Sequence, residues 1–289
     1  MLNFDLQIGD SRKRNYWELT YPILLTPFIL LVRIGLEKFV FPKFVNPLLE
    51  KTIQKSTKWN SNQAQAVSKN CLKNRINLRK LNESLWRLVY YSSVCAYVLW
   101  VLWDKPWFWD SNNFWIHFYS QSVSTDIWCH FMICTAYMWT ALWSIYFDIN
   151  RKDFFLMLIH HIGIITTSFF VWKMNVIQMY SVALLLHDLC DIFLEIAKTA
   201  NYLGCKKGCN VALVVFTGVW IVCRFGLYPN WVIRRWLVDA HQFLPDLSNY
   251  LAYYIMTGCL FTYVLLNSIW TVSIIKIVVR NVCSKTGKD

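Results

Sequence analysis

Seven apolar runs, each near the roughly 20 helical residues that cross a bilayer core, occupy 21–41, 85–103, 126–147, 154–172, 177–198, 211–229 and 250–276. Backbone passing through hydrocarbon must satisfy its own hydrogen bonds. The expected fold is therefore all-α, a polytopic membrane protein with about seven transmembrane helices. Composition agrees where it bears on this. Charged residues form 16% of the chain, against about 25% in ordinary soluble domains. Aromatic residues reach 17%, which suits many crossings of the lipid–water boundary. Arg33 and Glu37 interrupt the first run; four residues apart, they can pair on one helix face. Arg12, Lys13 and Arg14 precede that run and no small-residue cleavage pattern follows it, so it reads as a retained anchor.

Lysine and arginine set the expected orientation. Placing the basic segment 42–84 in the cytoplasm forces alternation of the rest, and 18 basic residues then fall inside against 7 outside. The N-terminus is expected in the lumen and the C-terminus in the cytosol. Four parts follow: a lumenal N-terminus with the first transmembrane helix (1–41), a basic cytosolic segment (42–79), a membrane domain (80–277) and a cytosolic tail (278–289). The net charge of +12 lies in loops and reads as this topology signal rather than as a nucleic-acid footprint. No recognition-helix signature marks 42–79; a helix lying on anionic lipid is the expectation there.

Cys95, Cys129, Cys134, Cys190, Cys223 and Cys259 fall inside apolar runs and act as small hydrophobes. Cys205 and Cys209 lack a second pair or a nearby His, so no zinc site is expected.

Ionisable residues inside spans are costly and usually functional. The fourth run leads from Asp153 to His160 and His161; the fifth carries His187, Asp188, Asp191, Glu195 and Lys198. His160 is seven residues from Asp153 and Asp191 seven from Lys198, so both lie about 10 Å inside the same surface at 1.5 Å per residue. Asp188, Asp191, Glu195 and Lys198 are spaced 3, 4 and 3, which puts them on one face. His160, Gly163 and Thr167 share another, narrow enough for an acyl chain or a neighbouring helix. A neutral imidazole can attack a thioester carbonyl or take a proton from an incoming amine, and a carboxylate can orient it. Acyl transfer through His160, His161, Asp188 and Asp191 is the chemistry expected. A metal site would want His at i, i+3 or i, i+4. His160 and His161 are adjacent and His187 is alone on its helix, so no metal is expected.

The residues Asp148-Ile149-Asn150-Arg151-Lys152-Asp153, the His160-His161 pair and His187-Asp188-Leu189-Cys190-Asp191 resemble the ceramide synthase family of TLC-domain membrane proteins. Glu83-Ser84-Leu85-Trp86-Arg87 upstream, and Arg224 with Tyr228-Pro229-Asn230-Trp231 downstream, fit the same pattern, over about residues 80–277. The resemblance implies a six-helix barrel preceded by one further span, in the endoplasmic reticulum membrane. It implies transfer of a fatty acyl group from acyl-CoA to a sphingoid base, with His160 as the acyl carrier. Substrate-binding residues would be His187, Arg151, Lys152, Arg224 and Trp231. Arg151 and Lys152 can meet CoA phosphates with Lys206 and Lys207, although the same four also serve as topology signal. Acyl-CoA is the co-substrate and no cofactor is implied. The expected partners are these substrates and membrane lipids, with room for a homo- or hetero-dimer and no nucleic acid. Residues 43–80 look like a shortened homeobox-like segment. The alternative is a non-catalytic TLC-domain lipid-binding or translocation accessory, against which the intact Asp188/Asp191 pair argues. The connection 231–249, with Trp236, Phe243 and Leu244, is expected to close the lumenal end and set acyl length.

Overall fold

A computed structural model describes residues 11–12, 15–45, 47, 64–115, 123–149, 153–243 and 251–286. Seven long helices run through the described residues. Helix α1 (Tyr21–Gly35) follows a 3-10 turn capped by Asn15 and runs on through a π-type stretch, Leu36–Val40. Then come α2 (Ala64–Leu102), α3 (Thr125–Phe147), α4 (Phe154–Met174), α5 (Ile177–Tyr202), α6 (from Lys206) and α7 (Leu251–Thr286). Among the described residues, six stretches are long and apolar enough to cross a membrane: Tyr16–Val45, Asn77–Leu102, Phe154–Met174, Ile177–Tyr202, Lys206–Gln242 and Leu251–Arg280. Helix α3 has the length, at 23 residues, but Trp, Tyr, Thr, Ser and His dilute its apolarity. It is instead lined with buried groups, among them His130, Phe131, Thr135 and Thr140.

Six helices close into a ring in the order α2, α5, α6, α7, α4, α3, and α1 lies outside it against α3. The outward faces stay apolar, with Leu24, Val214 and Leu265 all exposed, as a lipid-facing wall requires. The inward faces supply the core, in which Tyr90 stacks on Tyr137 at 3.4 Å and Phe131 on Trp172 at 5.4 Å. Asn175, at φ 60°, caps α4 in the left-handed region and lets α5 return at once. A short antiparallel pairing, Ser11 with Ser124 and Arg12 with Val123, ties the N-terminal end to the start of α3.

Two sequence boundaries need correction. The first span is longer than 21–41: helix continues to Val45, and Phe41 and Val45 are buried. The sixth run does not end at Pro229, and 231–243 is not a connecting loop. Helix α6 continues through π-type stretches Val222–Leu227, Pro229–Ile233 and Arg235–Asp239 to a last turn, Ala240–Phe243. Proline lacks the N–H that an α-helix needs, and a π-type turn shifts the bonding register around that gap. The extension is held by Arg235, which donates to Ser111 (2.8 Å) and Asn112 (2.6 Å) and pairs with Asp239. Trp236, fully buried, donates to Thr257 and stacks on Tyr253. Leu244 lies outside the described residues.

Candidate active site

The ring encloses a cavity of about 600 Å³ to which α2, α4, α5, α6 and α7 all contribute walls. One end is ionic, with Lys80, Glu83, Arg87, Asp153 and Lys198; the other is apolar, with Val171, Met179, Val232 and Met256. His160, His161, His187, Asp188 and Asp191 line it between those ends.

On α4, His160 is clasped by two rings of α7: Trp270 meets it edge-on at 5.3 Å and Tyr263 at 6.0 Å. The His160 Nδ1 is buried without a hydrogen-bond partner. The His161 ring lies 5.6 Å from it at 59°, so the two imidazoles face different directions. The shared face of His160, Gly163 and Thr167 takes a helix, not an open slot. A Cβ on Gly163 would meet Tyr263 at 3.2 Å, and Thr167 is hydrogen-bonded to the Tyr263 hydroxyl at 2.8 Å.

On α5, Asp188, Asp191, Glu195 and Lys198 do share the cavity-facing side. His187 Nδ1 is 2.7 Å from the Ala183 carbonyl. A carbonyl only accepts, so Nδ1 carries a proton, and in the neutral ring Nε2 keeps its lone pair. The same ring is edge-on to Tyr228 at 4.9 Å. No hydrogen bond joins His160 to Asp188 or Asp191 among the described residues; they share the chamber without touching. Arg224, buried on α6, balances the two carboxylates. It donates to Asn267 (3.1 Å) and the His187 carbonyl (3.4 Å) and sits 4.6 Å from the centre of the Trp220 ring.

The ionic end is a network that ties the ring together. Glu195 accepts from Ser84 (2.6 Å), Lys198 (2.7 Å) and Arg87 (3.1 Å). Arg87 also reaches Asp148 (3.3 Å), and Asp148 accepts from Arg33 (2.5 Å), which pairs with Glu37 at 2.7 Å as its spacing predicts. The contacts of Arg87, Asp148, Tyr263 and Trp270 were not visible in the sequence, although Arg87 and Asp148 stand in segments that carry the resemblance and Arg87 is a cation inside an apolar run. Of the expected substrate-binding residues, His187 and Arg224 line the cavity. Trp231 does not: it is partly buried against the core, where its ring meets Phe108 edge-on at 6.3 Å. Arg151 and Lys152 lie outside the described residues. Among the described residues no group of three or more His, Cys, Asp and Glu is arranged to hold a metal ion.

A family model described as the TLC domain matches residues 80–276. Among curated proteins, human "Ceramide synthase 5" is 32% identical over 213 residues, covering 73% of this chain and 54% of its own length. "Ceramide synthase hyl-1" of Caenorhabditis elegans is 30% identical over 220 residues, covering 73% of this chain and 60% of its own. "Ceramide synthase LOH1" of Arabidopsis thaliana is 26% identical over 279 residues, covering 92% and 87%. The chain thus spans a little over half the length of the animal relatives it matches.

Proposed function

This chain belongs to the TLC-domain family, and from its cavity we propose that it transfers a fatty acyl group from acyl-CoA to the amine of a sphingoid base. One observation carries the reading: the cavity is ordered ionic end, His/Asp centre, apolar end. Acyl-CoA has the same order of charged head, reactive carbonyl and hydrocarbon tail. Val171 lies 11 residues beyond His160 on α4, about 16 Å of depth for the tail.

His160 attacks the thioester carbonyl; the C–S bond breaks, and CoA leaves with the proton that the imidazole gives up. The sphingoid amine then attacks the acyl-imidazole, forming the amide and restoring His160. Asp188 and Asp191 stabilise the transient positive charge on the imidazole, and His161 handles the amine proton. Arg224 keeps the carboxylate pair tolerable in a dry wall. His187 offers Nε2 to a substrate hydroxyl. Acyl-CoA is a co-substrate and no cofactor takes part. The protein is read as residing in the endoplasmic reticulum membrane with seven crossings, α3 included, its N-terminus lumenal and its ionic cavity end cytosolic. Positive charge in the connecting segments supports that orientation. Residues 80–277 would form the catalytic unit.

The test is intact-protein mass after purified protein meets a long-chain acyl-CoA. The expected result is one acyl adduct, discharged by sphingoid base to ceramide and absent in His160→Ala. Wild-type turnover by His160→Ala would remove the acyl-carrier role.

A further inference from the structure

The seam between α4 and α7 is closed toward the apolar end of the cavity and parted toward the ionic end. Toward the apolar end Gly163 packs against the Tyr263 ring and Thr167 is bonded to its hydroxyl. The cavity-lining residues of both helices there, Ile164, Thr167, Met256 and Leu260, are buried. Toward the ionic end that burial is lost. Tyr263, Trp270 and Ile277 come seven residues apart, close to one face of α7, and all three line the cavity. Exposure along them climbs from 7% at Tyr263, through half-buried Trp270, to 42% at Ile277. Ser273, between the last two, also lines the cavity and is exposed. On α4 the facing residues Met157 and His160 are only half-buried. A residue that walls a cavity and is also open to the outside marks a side opening. The opening here is a slot between α4 and α7 that begins at His160, with the Trp270 ring at its inner edge. Its lips are apolar: Ile159 and Ile269, which directly precede His160 and Trp270, are exposed. Both helices are long and apolar enough to cross a membrane, so the slot faces hydrocarbon.

We propose that this slot admits the amine substrate sideways from the bilayer, with its single hydrocarbon chain between α4 and α7 and its nitrogen at His160. The inference rests on the acyl-transfer reading above and adds a route for the second substrate. The product of that reaction carries two chains. The apolar end of the cavity takes the acyl chain, and the slot is an apolar space that reaches the same histidine from another side. The ring order separates the two substrates further. The α4–α7 seam lies across the ring from α2 and α5, which carry the cations of the ionic end, Lys80, Arg87 and Lys198. The part of α7 that borders the slot, Trp270, Ser273, Ile274 and Ile277, brings no charge to the cavity. A CoA head therefore has its partners on one wall and a lipid chain its opening in the opposite one. Lipid tails are as apolar as the side chains of the slot, so a chain moves from bilayer to slot without crossing water. The same slot lets the base-derived chain of the amide leave into the membrane.

Ser273 tests the route, because it is exposed in the slot and its hydroxyl bonds only to the Ile269 carbonyl of its own helix. Ser273→Trp fills the slot from its outer side. Two readouts are compared in full-length purified protein in lipid nanodiscs: acyl loading from acyl-CoA, followed by mass, and discharge of the loaded protein by sphinganine. The expected result is loading within about twofold of wild type, with kcat/KM for the base lowered about tenfold or more. Loading at that rate also shows that the variant is folded. Should Ser273→Trp lower the thermal unfolding temperature and fail to load, Ser273→Leu takes its place, with a smaller fall in the same constant. Discharge at the wild-type rate in the variant that loads overturns the proposal. Loading and discharge slowed equally in a folded variant overturn it too, and loading slowed alone would give the slot to the acyl chain instead. Absence of loading in the wild-type protein would defeat the acyl-transfer reading itself.

Discussion

Arg87→Met is the sharpest test of what holds the ring together. Arg87 joins two carboxylates that come from different parts of the chain, Glu195 at 3.1 Å and Asp148 at 3.3 Å; its side chain is 14% exposed and that of Glu195 only 3%. Removing one partner of a buried ion pair costs about 3–5 kcal/mol, because the other charge is stranded. Neither carboxylate loses every partner here. Glu195 keeps Lys198 and Ser84, and Asp148 keeps Arg33. The lower end, about 3 kcal/mol, is therefore expected. For a chain of this size that is roughly 6–12 °C in Tm, read by thermal unfolding of the detergent-solubilised protein. The loss should be largely insensitive to salt, since buried pairs are weakly screened. Glu195→Gln in the same background removes the stranded charge and should recover part of the loss, a coupling of about 1–3 kcal/mol. A Tm for Arg87→Met within about 2 °C of wild type would mean that the network is not stabilising the ring.

Gly163→Val should separate α4 from α7, since even a Cβ there meets Tyr263 at 3.2 Å. A loss of about 1–3 kcal/mol by thermal unfolding is expected, with a larger fall in turnover because Tyr263 also flanks His160; wild-type values for both would contradict the packing argument. A C-terminal tag should be cleaved by protease added to sealed microsomes, and a protected tag would reverse the orientation.

Much of the architecture was legible because hydrocarbon leaves the backbone few options. The apolar runs translate directly into helices, and the 3.6-residue period places Asp188, Asp191, Glu195 and Lys198 on one side of α5 without further information. The Arg33–Glu37 pair is legible for the same local reason. What failed was a rule about chain ends. Proline after an apolar run usually closes a helix, yet α6 passes Pro229 by changing register, and Trp236 and Arg235 then find partners in α7 and the 111–112 turn. Those partners decide the outcome, and nothing around Pro229 encodes them.

The site divides along the same line. Periodicity brought His160, His161, Asp188 and Asp191 into one chamber. It could not say that His160 would stand between Trp270 and Tyr263, because α7 is apolar all round and no face of it is marked in advance. The ionic end was hidden for a related reason. Arg87 and Glu195 are 108 residues apart, and Arg33 and Asp148 are 115 apart. Each alone is a misplaced charge in or beside an apolar run, which the local pattern registers only as a cost. An isolated buried charge is hard to tolerate; a chain of them, each shared by two partners, makes a rigid collar where the ring would otherwise be loosest. That collar borders the large cavity, since Arg87, Glu195 and Lys198 all line it. The residues that fix the geometry of the ring therefore also form the ionic end of the chamber that holds His160 and His161.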